Sequence, residues 1–340
     1  MKRIGFNIDV VSACNLSCPS CPVGNSTGVR KSKGIMEPEF LEKILHKAST
    51  ECEIDFIGLF NWTEPLIHPR IAELVEIAGS YAPCHLSSNL NLAKIDYEAV
   101  LRKNPRYFRI SLSGFNQSVY SKTHKGGDIE VVKKNMLKLS EAAANVGSRT
   151  KIEVLYLRYL GNADDELLMR YYSETLGFLF RPIWAYLMPL EKVLQYVSDP
   201  ASLSEQDQRL VEMLALPPGP EVIEASRSVR EEKCALLEDQ ITLNSQGVVQ
   251  LCCALFDENR FSINRFLDKT FEEIQNKKRK MDICRECMSN GVHNLALYNS
   301  PKYDQIAGMN VLKHYKEFIH VEEPSVFDRL KNRVLRMMKS

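Results

Sequence analysis

"SACNLSCPSCPVGN", residues 12–25, sets three cysteines within eight positions: Cys14, three residues, Cys18, two residues, Cys21. The run before it, "RIGFNIDV", is short and β-rich, so the thiols stand on the loop that leaves a strand. A loop of this spacing can aim three thiolates at one centre. Three thiolates suit an iron–sulfur cluster with one iron left without a protein ligand and open to a small molecule. Two other chemistries fit the same residues. One is a zinc site whose fourth ligand comes from nearby. The other is a redox pair in "CPSC", which leaves Cys14 idle.

The downstream pattern sets the frame. "EIDFIGLFN", "CHLSSN", "YFRISLSG", "KIEVLYLRYL" and "FLFRPIWAYL" read as five further strands. Between them, "EPEFLEKILHKAS", "HPRIAELVEIAGSYA", "DYEAVLRKN", "DIEVVKKNMLKLSEAAANVG" and "DDELLMRYYSETLG" carry helical periodicity, with Asp128 capping the fourth and Gly177 closing the fifth. Six strands, mostly apolar on both faces, alternating with helices predict buried parallel strands with right-handed crossovers. Such a series makes either an open doubly wound sheet or a partial barrel. Both place their chemistry at the carboxyl ends of the strands, where the cysteine loop begins.

Composition narrows the class. The 340 residues are 44% hydrophobic and 26% charged, with a net charge of +1, which supports a sizeable core and excludes a general nucleic-acid binder. No apolar run is long enough to span a membrane. "MKRIGFNIDVVSAC" is a poor export signal, because Asn7 and Asp9 interrupt a short apolar stretch. The chain therefore reads as cytoplasmic, and clustered cysteines read as metal ligands before disulfides. Cys234, Cys252, Cys253, Cys284 and Cys287 form a second set; Cys52 and Cys84 stand alone. Residues 188–232 read as a helical connector broken by "PPGP" at 217–220, and "ITLNSQGVVQLCC" as a hairpin turning at Asn244–Gly247. Residues 233–290 then make a small metal-stapled domain, followed by an extension over 291–340.

The cysteine spacing, its place after the first strand and the six strand–helix units resemble the radical S-adenosylmethionine (SAM) superfamily, over nearly the whole chain to about residue 290. The resemblance implies a partial (β/α)6 TIM-like barrel over 1–187. Cys14, Cys18 and Cys21 would hold a 4Fe–4S cluster whose open iron binds SAM. An electron from a donor such as flavodoxin or ferredoxin would split SAM, and the 5′-deoxyadenosyl radical would take hydrogen from a substrate carbon. Further family marks follow strand by strand. "NWTEP" keeps Glu64 and Pro65, with Trp62 and Thr63 where the family has two glycines. "SSN" (Ser87, Ser88, Asn89) matches, and "SLSG" keeps Ser111 and Gly114 but has Ser113 for an acid. The resemblance implies SAM contacts from Glu64, Ser88, Ser111 and Arg158.

The second set resembles a twitch domain, the short form of the SPASM auxiliary-cluster domain. Cys234 is followed by Gly247 and Cys252, and "CREC" supplies Cys284 and Cys287. The resemblance implies a second 4Fe–4S cluster with four thiolate ligands, suited to electron transfer; structural zinc is the alternative. Cys253, expected to point away from Cys252 on a strand, is a small buried residue or a hydrogen-atom donor. Only 13 residues precede Cys14, too few for a fused leader-peptide recognition domain, which tilts the reading toward a small substrate. By analogy the expected reaction is oxidation or epimerisation of a carbohydrate-like molecule. The alternatives are peptide maturation with a separate recognition protein, and a non-enzymatic electron carrier or zinc-binding protein. Arg181, Trp184, Tyr186, Glu191 and Lys192 fall near the expected mouth of the barrel, where they either hold a polyhydroxylated ligand or pack helices; His124 reads as a capping or surface residue. In the tail "FDRLKNRVLRMMKS", Phe327, Leu330, Val334, Leu335 and Met338 share a stripe suited to a peripheral membrane helix or to packing on protein.

Overall fold

A computed structural model describes residues 1–25, 34–229 and 233–321. All six expected strands form: β1 (Arg3–Ile8), β2 (Glu53–Gly58), β3 (Cys84–Ser88), β4 (Tyr107–Leu112), β5 (Lys151–Arg158) and β6 (Leu179–Trp184). Each pairs in parallel with its sequence neighbour. This sequential order excludes the doubly wound alternative, whose strand order reverses at a switch point. It is the parallel sheet of a TIM-like partial barrel.

The helices between strands form where the periodicity places them. Pro38 opens the helix Pro38–Glu51, whose Leu41, Ile44, Leu45 and Ala48 are buried against the sheet. The Asp128 side chain accepts from the Glu130 amide at the start of Ile129–Val146, and Gly147 closes that helix in the left-handed conformation. The strand faces differ more than expected. On β4, Phe108, Ile110 and Leu112 are fully buried, while Tyr107, Arg109 and Ser111 alternate with them. Arg109 and Arg181 both approach Glu153, at 3.5 and 2.9 Å, so one face of the sheet carries charge as well as apolar residues.

The region expected as a separate small domain joins the same sheet. Strand β7 (Gln240–Leu243) pairs in parallel with the free edge of β1. The expected hairpin follows, with β8 (Val248–Gln250) antiparallel to β7. Its turn is held by Asn244, whose Oδ1 accepts from the amides of Gln246 and Val248, each at 3.0 Å, and by Gly247 at φ +70°. A third strand not expected from the sequence, β9 (Ser262–Arg265), pairs with β8 and completes a nine-stranded sheet. The connector forms three helices, Leu190–Ser198, Glu205–Met213 and Pro220–Arg227, the last opened by the final proline of "PPGP". No described helix is long and apolar enough to cross a membrane. The apolar stripe of the basic tail, Phe327 to Met338, lies outside the described residues.

Gly114, just past β4, meets the backbone of Tyr120: a Cβ there would lie 2.7 Å from its nitrogen and 2.8 Å from its Cα. Backbone cannot yield as a flexible side chain does, so Gly114→Ala is expected to destabilise the fold by about 1–3 kcal/mol. Urea denaturation checks this; unchanged stability would mean that the helix Gln117–Thr123 shifts freely.

Candidate active site

The carboxyl ends of the parallel strands enclose a cavity of about 310 Å³, at the small end of ligand-site volumes. Cys14, Cys18 and Cys21 form part of its wall. The rest comes from the loop Phe60–Glu64, from Ser87, Ser88 and Asn89 after β3, from Ser111 on β4, and from Leu157, Tyr159, Ile183, Trp184 and Tyr186 on and after β5 and β6.

Asp9 organises this end of the sheet. It lies one residue past β1 and is 3% exposed. Its Oδ1 accepts the amides of Asn61, Trp62 and Thr63, each at 3.0 Å, and the Thr63 hydroxyl at 2.5 Å. Three successive N–H groups turned toward one anionic oxygen fix the loop's curvature. In the sequence Asp9 stands out only as an interruption of an apolar stretch. The usable signal was an acid ending a strand otherwise buried, because a buried carboxylate needs several donors.

Glu64 is buried at the next position of this loop. One carboxylate oxygen accepts from the Leu66 amide at 3.1 Å and the other from the Asn89 amide at 2.8 Å. The side chain thus ties the β2 loop to the β3 loop. Burial pushes its pKa up to about 7, with the two amides and the Ser88 hydroxyl opposing. The Ser88 oxygen also accepts from the Leu90 amide at 2.9 Å, closing the turn after β3.

The cysteine loop is seated on these two loops. Asn89 Nδ2 donates to Cys14 Sγ at 3.6 Å and to Asn15 Oδ1 at 3.0 Å. The Leu16 amide donates to Cys14 Sγ at 3.5 Å, and the Cys21 thiol donates to the Trp62 carbonyl at 3.8 Å. Burial pushes the Cys14 thiol up to about 11 and the Cys18 thiol higher. Buried thiols of this kind become thiolates when a metal takes the place of the proton. Among the described residues, no group of three Cys, His, Asp or Glu converges on a single-ion position. The three thiols instead share the wall of a cavity, and that donor set fits a cluster open on one side.

The remaining expected contacts divide. Ser111 reaches the cavity wall; Arg158 does not. Its guanidinium holds Glu166 through two hydrogen bonds, at 2.6 and 2.7 Å, and lies over the Trp184 ring at 5.0 Å. Strand alternation explains this: Leu157 and Tyr159 line the cavity, and Arg158 between them does not. Of the residues expected at the mouth, Trp184 and Tyr186 arrive. Arg181 pairs with Glu153, Lys192 with Asp207 at 2.6 Å, and Glu191 accepts the amides of Phe256 and Asp257. His124, expected as a capping or surface residue, caps the C-terminus of the helix Gln117–Thr123 but is 4% exposed and in the cavity wall. It stacks on Tyr120 and meets Ser113 Oγ at 2.8 Å, and burial holds its pKa down to about 4. It is therefore neutral at physiological pH.

Cys234, Cys252, Cys284 and Cys287 line one second cavity, whose other walls are Leu190, Leu236, Leu237, Leu255, Ile283, Met288 and His293. The helix Asp282–Ser289 presents Cys284 and Cys287 three positions apart, on one face. Burial raises Cys234 to about 11, Cys284 to about 12 and Cys287 further. Four thiols in an apolar hollow are a donor set that fits a fully ligated metal centre. Cys253 lines neither cavity. Strand alternation does not separate it from Cys252, because β8 ends at Gln250 and the two thiols are hydrogen-bonded to each other. With its amide oriented to satisfy both partners, Asn61 donates to the Cys253 carbonyl at 3.2 Å and accepts from Trp62 Nε1 at 3.0 Å. Trp62 also packs edge-on against Phe256. The loop that walls the first cavity is thereby joined to the segment that carries Cys252.

Residues 8–170, just under half of the chain, match the model of the radical SAM superfamily. No curated protein matches the sequence. Among solved structures, native anSMEcpe with bound AdoMet is similar over 98% of this chain and 100% of its own, at 16% identity and a TM-score of 0.55. Streptococcus suis SuiB bound to precursor peptide SuiA is similar over 89% of this chain and 74% of its own, at 17% identity and a TM-score of 0.58. SuiB bound to S-adenosylmethionine gives 15% identity and a TM-score of 0.56 over 89% of this chain and 76% of its own. At these identities the likeness is one of fold.

Two measurements probe the carboxylates. Asp9→Ala leaves three amides and a hydroxyl without their acceptor, so it should cost about 3 kcal/mol or more in urea denaturation. A loss below about 1 kcal/mol would mean that water replaces the carboxylate. Glu64 has a raised pKa in the folded chain, about 7 against 4.5, so the native state holds more protons across that window. Its contribution to stability is present below pH 4.5 and is lost as pH rises toward 7, a fall of about 3 kcal/mol. Glu64→Gln should flatten this slope. Parallel pH profiles in the two proteins would assign the slope to another group.

Proposed function

We propose that the chain is a two-centre radical SAM oxidoreductase that oxidises a hydroxyl-bearing carbon of a carbohydrate-like small molecule. The observation that carries the reading is the pair of thiol-lined cavities, three cysteines in the first and four in the second. Cys14, Cys18 and Cys21 would hold the cluster that receives SAM, and Cys234, Cys252, Cys284 and Cys287 a cluster ligated at every iron. When bound, the first with SAM supplies a 5′-deoxyadenosyl radical for hydrogen abstraction, and the second supplies one-electron acceptance.

The chain's own residues shape what enters. Leu157, Tyr159, Ile183, Trp184, Tyr186 and Met188 exclude water from the cavity. Ser87, Ser111 and Asn61 offer neutral hydrogen-bonding groups beside the aromatic faces, a combination suited to a polyol. His124, held neutral, adds no charge. An alcohol carbon becoming a carbonyl gives up one hydrogen atom, one electron and the hydroxyl proton, so a second redox centre in the same chain fits oxidation. Epimerisation needs a hydrogen donor on the cavity wall, and Cys253 is not there. A peptide substrate is the second reading. It draws on the similar folds of SuiB bound to its precursor peptide and of anSMEcpe with the Cp18Cys peptide.

The test uses protein reconstituted without oxygen. Two four-iron clusters predict about eight irons per chain, and dithionite with SAM should yield 5′-deoxyadenosine. Cys18→Ala should abolish this product, while Cys284→Ala should lower the iron count and keep some cleavage. A sugar or cyclitol product lighter by two hydrogen atoms supports the oxidase reading. Cleavage intact in Cys18→Ala would remove the first assignment, and turnover confined to peptides would replace the substrate.

A further inference from the structure

Among the described residues, Lys278 is the only lysine or arginine buried from solvent, at 1% exposed. It sits with Ile274 and Gln275 on the inner face of the helix Phe271–Arg279. Its Nζ donates to the Leu237 carbonyl at 2.8 Å and to the Gln240 carbonyl at 2.7 Å, and it makes no ion pair with a described carboxylate. The neighbouring acid, Glu238, is held by Arg279 through two hydrogen bonds and by Lys2. Lys277 and Arg279, on either side, turn to other partners: Lys277 to Ile263 and Asn264, Arg279 to Glu238. A buried ammonium that meets only carbonyls is costly unless negative charge lies close by. Burial pushes its pKa down to about 8, and the nearby Cys252, Cys253 and Cys284 pull against that shift. Leu237, whose carbonyl anchors it, lines the cavity of the four cysteines.

We propose that Lys278 is the counter-cation of the second cysteine centre and makes the cluster held there easier to reduce. The inference rests on the two-cluster reading above. Uptake of one electron adds one negative charge to the centre. A fixed positive charge in a dry surrounding stabilises that reduced form more than the oxidised one. Lys278 acts through the cluster and does not touch substrate, so it is a positioning residue whose readout is a potential.

The experiment compares Lys278→Met and Lys278→Arg in the full chain, each combined with Cys18→Ala to silence the first site. The proteins are loaded with iron and sulfide without oxygen. Iron is counted, and reduction by dithionite with mediators is followed by electron paramagnetic resonance. Lys278→Met should move the midpoint of the second centre to lower potential at unchanged iron, so that the reduced fraction near the unsubstituted midpoint falls severalfold. Lys278→Arg should restore most of it. Loss of iron in the methionine variant alone would also support the charge, acting at assembly. An unchanged midpoint, or equal iron loss in both variants, would overturn the proposal. If the Cys18→Ala protein itself binds no cluster, the two-cluster reading fails instead.

Discussion

Strand β1 is hydrogen-bonded along both edges, to β2 on one side and to β7 on the other. The rest of the arrangement depends on this. The loop with Cys14, Cys18 and Cys21 leaves the end of β1, and the hairpin that leads to Cys252 leaves the end of β7. Two parallel strands in register deliver their following loops to the same end of a sheet. The chain past β1 stays on the hairpin: the Asp9 amide donates to the Leu243 carbonyl at 2.9 Å, and the Ser12 and Ser245 hydroxyls meet at 2.6 Å. Loops more than two hundred positions apart, one with Cys14 and one leading to Cys252, thus leave the same end of the sheet through one strand pair. The entropic cost of closing so long a loop grows only logarithmically with its length.

Buried charge then fixes the details that apolar packing leaves loose. Asp9 gathers three amides of the β2 loop, and Glu64 ties that loop to β3. Lys278 bridges the carbonyls of Leu237 and Gln240. Each is a directional constraint in a low-dielectric surrounding, where leaving a partner unpaired costs more than the bond itself contributes. Such groups add little net stability for the charge they bury. Their effect is to hold loops in one conformation before any ligand arrives, which spares ordering cost on binding.

The barrel was legible because its signal is local and repeated. Alternating strand and helix runs such as "YFRISLSG" and the Asp128-capped helix report their own periodicity. The first cysteine loop was legible as a site because its three thiols lie close in sequence, and all three share one cavity wall. What escaped depended on partners distant in the chain. Nothing in "ITLNS" says that it pairs with β1, so a continuous sheet read as two domains. β9 is four residues long and carries no clear alternation. Arg158 was judged by its place on a strand, and one step of alternation with Glu166 as partner takes it away from the cavity. Asp9 and Lys278 look like ordinary charged residues in the sequence; only burial marks them.

The departure from two glycines in "NWTEP" follows from the same logic. Glycines in a loop permit close approach of a ligand to backbone and leave the loop's shape to its own torsions. Here each replacing or preceding side chain makes a contact that glycine lacks. Thr63 gives its hydroxyl to Asp9, Trp62 packs on Phe256, and Asn61 reaches the Cys253 carbonyl. The first contact fixes the loop to β1, and the other two fix the Cys252 segment to the loop. Glu191 adds a second tie, since its carboxylate holds the amides of Phe256 and Asp257 from the chain that leaves β6. The segment beside the second cavity is thus clamped between the β2 and β6 exits, both of which wall the first. The spacing between the two cavities is therefore held by directed contacts of Asn61, Trp62 and Glu191 rather than left to the loops' own torsions.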